Sequence, residues 1–209
     1  MQQATAQDWP NLNRYAAENA ALPAPAKGEK RVVFMGNSIT EGWIKANSAF
    51  FHRNPYIDRG ISGQTTPQML LRFRNDVIAL QPKAVVILAG INDIAENTGP
   101  IALKDVAANI FSMAELAKAH QIKVFICSVL PANKFPWRKE ILPAQKVIEL
   151  NKMLKDYCQK NKITYVDYYS RMVNDQNGLD EKLGYDGVHP NAAGYKVMEA
   201  IIQPLLKKL

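Results

Sequence analysis

The sequence predicts an α/β fold, a three-layer doubly wound domain with a five-stranded, mostly parallel sheet. Five short apolar runs alternate with longer stretches of helical periodicity, an order typical of parallel sheets with helices on both faces. The run AVVIL at 84–88 is continuous and β-branched, as expected of a strand that is buried on both faces. The 209 residues are enough for one well-cored domain and few for two.

Before the first strand, residues 11–20 predict a short helix, and ALPAPAKG at 21–28 predicts a Pro/Ala linker. We therefore divide the chain into an N-terminal segment, residues 1–30, and a single α/β domain, residues 31–209. An A-x-A pattern at the start of the chain, ATAQ, resembles the tail of a signal peptide, so residues 1–6 are a candidate leader remnant. This pattern favours export to the periplasm or the outside, and a cytoplasmic location stays open.

Strands and helices then alternate along the domain. Strands are predicted at 31–35, 56–59, 84–88, 123–130 and 163–169. Helices are predicted from Thr66, with Pro67 at the first helical position, over 101–119 and 139–160, and from Asn191 to the end. Pro204 predicts a kink or an early end of the last helix.

Composition excludes several classes of function. The net charge is +7, but the basic residues are scattered singly and in pairs, which argues against a nucleic-acid partner. No apolar run approaches the ~20 residues needed to span a bilayer, so stable membrane insertion is not expected. Cys127 and Cys158 lack a CxxC spacing, which predicts two buried free thiols rather than a zinc or redox site.

Polar residues follow four of the predicted strands. Ser38 comes after the first strand, Gly63 after the second and Asn92 after the third, while Asp186 and His189 stand in the long loop after the fifth. Because ligands of open α/β sheets bind beyond the carboxyl ends of the strands, we expect these loops to meet at one edge.

Ser38 is the candidate nucleophile, and a serine hydroxyl needs a base within hydrogen-bond reach. His189 is the candidate base because Asp186, three residues earlier, can orient its ring, as the aspartate of a catalytic triad does. The other two histidines fit structural roles better: His120 ends a helix, and His52 has no partner motif.

The tetrahedral intermediate of such a reaction needs donors for its oxyanion. The N–H groups of Ser38 and Gly63 and the side-chain amide of Asn92 are the candidates. Taken singly, Gly63 and Asn92 are more typical of ordinary turns than of oxyanion donors. Ser38 or Thr40 is equally typical of a cap for a helix that begins near Glu41.

These motifs resemble a known family. GNSIT at 36–40, the Gly63 loop, GIND at 90–93 and DGVHPN at 186–191 are similar, in order, to the four sequence blocks of the SGNH/GDSL hydrolases. The resemblance spans about residues 31–195 and is strongest to small bacterial esterases similar to platelet-activating-factor acetylhydrolase and to sugar O-acetylesterases. It implies a flavodoxin-like fold, the triad Ser38, His189 and Asp186, and an oxyanion hole of Ser38, Gly63 and Asn92.

One departure is Asn37, where the name-giving motif of the family has Asp, so the charge that shapes this turn is absent. The G-x-S-x-G elbow of the large α/β-hydrolase class is absent as well, because residue 40 is Thr. We count Asn37 among the candidate substrate contacts.

The remaining candidate contacts lie in two loops. PANKFPWRKE, after the fourth strand, offers Phe135, Trp137 and Arg138 for a sugar or another alcohol, with packing of Trp137 on the adjacent helix as the alternative. Tyr185, next to Asp186, is a further candidate at the pocket border.

The sequence therefore predicts a serine esterase that removes short acyl groups, acetyl above all, from a small alcohol or a carbohydrate. No cofactor is expected, and no metal, since Asp186 and His189 lack a third ligand nearby. The alternatives are a lysophospholipase or thioesterase, a catalytically silent carbohydrate-binding protein, and a structural protein in which Ser38 is a cap. The oligomeric state is not indicated.

Overall fold

A computed structural model describes residues 8–209, so the candidate leader remnant lies outside the described residues. Five parallel strands form one sheet in the order β2-β1-β3-β4-β5, as the sequence predicts for a flavodoxin-like fold. The strands are β1 (Val32–Gly36), β2 (Tyr56–Gly60), β3 (Ala84–Leu88), β4 (Lys123–Cys127) and β5 (Thr164–Val166).

The helices lie between and after the strands. They are α1 (Ala16–Ala21), preceded by a 3-10 turn at Leu12–Tyr15, α2 (Ser38–Ala46), α3 (Ser48–His52), α4 (Thr66–Asp76), α5 (Ile91–Ile94), α6 (Leu103–Ala119), α7 (Ala144–Asn161), α8 (Tyr169–Met172) and α9 (Ala192–Leu206). A second 3-10 turn, Ile78–Leu80, follows α4.

The register of the central strands sets the position of the functional loops. Gly36, the last residue of β1, is level with Gly60 of β2 and with Leu88 of β3. The loops that follow these strands therefore leave the sheet at the same height along one edge. β1 and β3 are buried along their whole length, as strands covered on both faces must be.

Two groups of helices cover the sheet. α4, α6 and α7 contact one another in sequence, and α2 contacts α3 and α9. An aromatic cluster fastens α2 to β1: Trp43 stacks on Phe50 with ring centroids 5.2 Å apart and meets Phe34 edge-on at 5.5 Å. Buried aromatic area of this kind is a large stabilising contribution, so the helix that starts at Ser38 is firmly held.

The fold departs from the predicted elements in several places. β4 and β5 end earlier than expected, at Cys127 and Val166, α7 begins at Ala144 rather than near 139, and the short helices α3, α5 and α8 were not predicted. α4 is capped by Thr65 rather than Thr66, with a capping box to Gln68. α9 runs through Pro204 without ending, and Asn191 caps it as expected.

Residues before the sheet pack on the sheet edge that carries the loops. Tyr15 Oη donates to the backbone carbonyl of Gly60, and Gln64 Nε2 donates to the carbonyl of Pro10 at 2.7 Å. Cys127 and Cys158 are buried and free, which confirms the expectation for both thiols. Among residues 8–209, no helix has the length and apolarity to cross a membrane.

Candidate active site

Ser38 is the first residue of α2, directly beyond the end of β1. The cap of this helix is Asn37, whose Oδ1 accepts the N–H of Ile39 at 3.0 Å, so the expectation of a cap at Ser38 or Thr40 is wrong. The helix begins three residues earlier than predicted for the same reason. The N–H of Ser38 thus has no intrahelical acceptor and remains available at the positive end of the helix dipole.

Tight packing of backbone holds this turn in place. A Cβ on Gly60 would lie 2.2 Å from the backbone nitrogen of Glu41, and one on Gly36 would lie 2.0 Å from Thr40 Oγ1. Only glycine at both strand ends lets α2 start this close to the sheet.

Ser38, His189 and Asp186 form one hydrogen-bonded chain. Ser38 Oγ is 2.8 Å from His189 Nε2, and His189 Nδ1 is 2.7 Å from Asp186 Oδ2. The structure therefore brings together a hydroxyl and an acid–base pair that lie 151 residues apart in sequence. This arrangement allows an imidazole that carries its proton on Nδ1 to accept a proton from Ser38 Oγ on Nε2.

The second oxygen of Asp186 is used by the backbone of its own loop. Oδ1 accepts the N–H of Val188 at 2.9 Å and that of His189 at 2.8 Å. Partial burial alone would raise the pKa of Asp186, but the N–H and ring of His189 and the N–H of Val188 outweigh it, so the pKa lies below its usual range. The carboxylate thus stays charged and fixed beneath the imidazole.

The candidate oxyanion donors converge on the cleft in front of Ser38. Gly63 has a φ of +77°, which favours glycine, and lies in the loop after β2. Asn92, in the first turn of α5, is only 4% exposed, and its Nδ2 donates one hydrogen to the carbonyl of Gln64 at 2.9 Å. The second amide hydrogen of Asn92 remains for a ligand, and Ser38, Gly63 and Asn92 all line the same cleft.

Residues that sequence reasoning missed support these donors. Glu41 Oε2 accepts the N–H of Ser62 at 2.9 Å and also its hydroxyl, which secures the residue before Gly63. Burial opposes the charge of Glu41, but the Ser62 hydrogen bonds, with Lys45 and Arg14, leave its pKa lowered. The signal in the sequence was a glutamate three residues after Ser38, on the same helical face.

Two further polar side chains are buried behind the loops. Asp93 accepts the N–H of Thr66 at 3.0 Å and its hydroxyl at 2.6 Å, and burial raises the pKa of Asp93 to about 6. Arg72, fully buried, donates to the carbonyls of Gly36 and Arg59 at 3.0 and 2.9 Å and thereby ties the ends of β1 and β2 together. Arg72 and Asp76 stand four apart on α4, a spacing that predicts their ion pair.

The cleft has a volume of about 490 Å³. Among the described residues its lining contains no aliphatic hydrocarbon side chain; it consists of Ser38, Glu41, Gly42, Lys45, Ser62, Gly63, Asn92, Asn97, Trp137, Tyr185 and His189. Trp137 is 43% exposed and Tyr185 71% exposed. Their rings flank the imidazole of His189, with centroids 6.1 and 5.7 Å from it.

The structure places three of the candidate substrate contacts away from this cleft. Asn37 is buried and caps α2, Phe135 is buried in the core, and Arg138 pairs with Glu96 and Glu140 outside the cleft lining. We withdraw these three as substrate contacts, because a side chain in the core or engaged elsewhere cannot meet a ligand in front of Ser38. Within residues 8–209, the Nδ2 of Asn37 has no hydrogen-bond partner.

Comparison with known proteins agrees with this architecture. The model of the GDSL-like lipase/acylhydrolase family matches residues 34–197. The chain belongs to this family. A solved structure of a candidate acylhydrolase from Bacteroides fragilis is similar to this GDSL-like protein with 55% identity and a TM-score of 0.95, over 97% of this chain and 99% of the other.

Two curated relatives are more distant. An acetylxylan esterase of Xylanibacter ruminicola is 27% identical over 229 residues, 90% of this chain and 45% of the relative. An uncharacterised lipoprotein of Bacillus subtilis is 28% identical over 122 residues, 50% of each protein. The chain thus spans about half the length of the curated relatives that it matches. The family that matches this chain is described as one of GDSL-like lipases and acylhydrolases.

Proposed function

We propose that this protein hydrolyses short acyl esters, acetyl above all, of a carbohydrate or another small alcohol, with Ser38 as nucleophile. The observation that carries the proposal is the unbroken hydrogen-bonded chain from Ser38 Oγ through His189 to Asp186. A serine held at 2.8 Å from an oriented imidazole has the base that its attack requires. Residues 31–209 are the part of the chain that we assign to this reaction.

In the proposed mechanism, Ser38 Oγ attacks the ester carbonyl while His189 Nε2 takes the hydroxyl proton. The oxyanion accepts hydrogen bonds from the N–H groups of Ser38 and Gly63 and from Nδ2 of Asn92. The intermediate collapses as His189 returns the proton to the departing alcohol, and an acyl group remains on Ser38. Water, deprotonated by His189, then releases the carboxylic acid and restores the serine.

The lining of the cleft favours a short acyl group. A long chain gains affinity from apolar contact, about 0.8 kcal/mol for each buried methylene. The described lining offers no aliphatic side chain for such contact, and its polar groups, including Glu41, Lys45 and Asn97, would lose water against a hydrocarbon. This lining argues against a lysophospholipase.

The aromatic side chains at the rim favour a sugar as the alcohol. Trp137 and Tyr185 expose large ring faces beside His189, which protonates the departing alcohol in this mechanism. Exposed aromatic rings with hydrogen-bonding neighbours suit a ligand that has apolar faces and a polar edge, as a pyranose has. The acetylxylan esterase from Xylanibacter ruminicola carries an activity of this class in its name.

Export is also part of the proposal. The similarity to a Bacillus subtilis lipoprotein supports it, although it covers half of the chain. Cell fractionation of the producing organism tests it directly: recovery of the protein with the cytosolic marker alone would contradict export.

The experiment that tests the function compares p-nitrophenyl acetate, butyrate and octanoate with the wild type and Ser38→Ala. We expect hydrolysis by the wild type and none by the folded variant, because the nucleophile is lost while α2 keeps its Asn37 cap. Ser170→Ala, an exposed serine on α8, is the matched control and should retain full activity. Circular dichroism checks folding, and fluorophosphonate labelling of Ser38 reports a competent nucleophile independently of the substrate.

We expect the rate to fall sharply beyond about four acyl carbons, because the described lining offers no aliphatic side chain on which further methylenes could pack. Equal rates on octanoate would refute the short-acyl assignment and favour a lysophospholipase or thioesterase. A folded wild type that neither hydrolyses the three esters nor reacts with the fluorophosphonate would favour a silent carbohydrate-binding protein.

A further inference from the structure

A second cleft of about 310 Å³ shares part of its wall with the catalytic cleft. Its charged and amide-bearing lining residues are Asn133, Lys134, Asn174, Gln176, Asp180, Glu181 and Asp186. Tyr185 lines both clefts, and its ring stacks on His189 at an interplanar angle of 13°. A ligand that contacts the Tyr185 ring can therefore lie next to both clefts.

The chemistry of the lining selects a hydroxyl-rich ligand. Leu179 is the one aliphatic hydrocarbon side chain of the described lining, and the other side chains offer amide, carboxylate and ammonium groups. An acyl chain in this cleft would remove those polar groups from water without offering them hydrogen bonds, which costs free energy. Sugar hydroxyls, which both donate and accept, can satisfy carboxamides and carboxylates together.

The walls of the cleft are ordered without a ligand. Val173 pairs with Leu179 in an antiparallel bridge, and Gly184 pairs with Pro190 in another. The Oδ1 of Asn174 accepts two backbone N–H groups across the tight turn between the first pair, at 3.0 and 2.9 Å. A preformed wall avoids much of the entropic cost of ordering a loop when the ligand binds.

Two polar side chains in this wall are free to meet a ligand. Gln176 and Glu181 are exposed, and within the part of the chain that the structure describes their side chains make no hydrogen bond or ion pair. The backbone of the wall, in contrast, is held by Asn174 and by Asn191, which donates to the carbonyl of Lys182 at 3.0 Å. The side-chain chemistry can thus be changed while the wall stays intact.

We propose that the second cleft binds the sugar units adjacent to the acetylated one, so that the substrate is an oligosaccharide lying across Tyr185 rather than a monosaccharide. This proposal rests on the proposed esterase function, since it places the acetylated unit in front of Ser38. The oligosaccharide is placed across Tyr185 because this is the one described residue that lines both clefts.

The test compares three acetyl esters: p-nitrophenyl acetate, an acetylated methyl xyloside and an acetylated xylotetraose. In the double variant Gln176→Ala/Glu181→Ala, we expect kcat/KM on the acetylated xylotetraose to fall at least about fivefold, mainly through KM, as expected for two lost hydrogen bonds. The values for the other two esters should stay within about twofold, because neither reaches the second cleft. Gln159→Ala, an exposed glutamine on α7, is the control and should change none of them.

An equal loss on all three esters would overturn the proposal, since it would mean that the double variant disturbs the catalytic loop. No loss on the tetraose would overturn it as well. If the wild type cleaves p-nitrophenyl acetate but neither acetylated sugar, the carbohydrate part of the proposed function fails. A binding measurement then decides whether the second cleft holds sugar units. Calorimetry then measures the binding of unacetylated xylotetraose to Ser38→Ala, with and without the further changes Gln176→Ala/Glu181→Ala. Weaker binding in the presence of these changes supports the subsite, and no binding at all overturns it.

Discussion

Replacing Asn92 with alanine tests the proposed oxyanion hole at its only side-chain donor. Asn92 is 4% exposed, and its Nδ2 holds the carbonyl of Gln64 at 2.9 Å while facing the cleft with its second hydrogen. The alanine variant loses both interactions, and each has its own measurable effect.

The catalytic effect is the larger. Loss of one oxyanion donor lowers kcat by about 10²–10³-fold, equivalent to about 2.7–4 kcal/mol of transition-state stabilisation. KM should change little, because the donor acts on charge that develops only during the reaction. The structural effect is an unpaired buried carbonyl at Gln64, which lowers the free energy of unfolding by about 1–3 kcal/mol.

Steady-state kinetics on p-nitrophenyl acetate and urea denaturation measure the two effects separately. Asn97→Ala is the matched control: Asn97 lines the same cleft, but it is exposed and donates to the carbonyl of Gly63 at 3.2 Å. We expect its kcat to change by no more than about threefold, since an exposed hydrogen bond contributes little. A folded Asn92→Ala variant whose kcat matches that of Asn97→Ala would refute the role of Asn92.

Three further predictions follow from the same geometry. Asp186→Asn should lower kcat by about 10⁴-fold, because an amide N–H facing Nδ1 of His189 favours the wrong tautomer; p-nitrophenyl acetate kinetics check this, and near-normal turnover would contradict it. Burial raises the pKa of Asp58 to about 7, so the folded state keeps a proton that the unfolded chain loses, and stability falls by about 1.4 kcal/mol per pH unit between about pH 4 and 7. Asp58→Asn should therefore stabilise the protein at pH 8 and change it little at pH 4, as measured by denaturant unfolding; equal effects at both pH values would disprove the assignment. Gly60→Ala should cost about 1–3 kcal/mol or more and reduce activity, because its Cβ would displace the start of α2; a wild-type melting temperature and kcat would show that the turn adapts.

The sequence predicted the sheet and the meeting of four loops because both depend on local patterns. Apolar β-branched runs mark parallel strands, and the carboxyl ends of such strands share one edge. Strand ends were less predictable, since they depend on tertiary partners. β5 ends at Val166, and soon after it the hydroxyl of Ser128 accepts the N–H groups of Tyr168 and Tyr169, where the chain enters α8.

The candidate substrate contacts show the same limit. Phe135 and Trp137 are two residues apart in one loop, yet the first is buried in the core and the second lines the cleft. Nothing in PANKFPWRKE distinguishes them, because the direction of a loop side chain depends on what packs beside it. The burial of Arg72 was likewise not predictable from the sequence, since an arginine on a helix usually faces solvent.

The separation of the reacting groups along the chain has a consequence for synthesis. Asp186 and His189 belong to one short turn, whereas Ser38 is reached only across 151 residues. α9 links the C-terminal part of the chain to α2, the helix that begins at Ser38. Tyr195 Oη donates to the carbonyl of Ile39 at 2.8 Å, and Glu199 accepts from Trp43 Nε1 at 3.0 Å. A ribosome-bound chain therefore exposes its serine early but acquires the partner that activates it only after α9 has emerged. In the proposed mechanism, a nascent chain that has not yet reached His189 carries the serine without its base and cannot hydrolyse an ester.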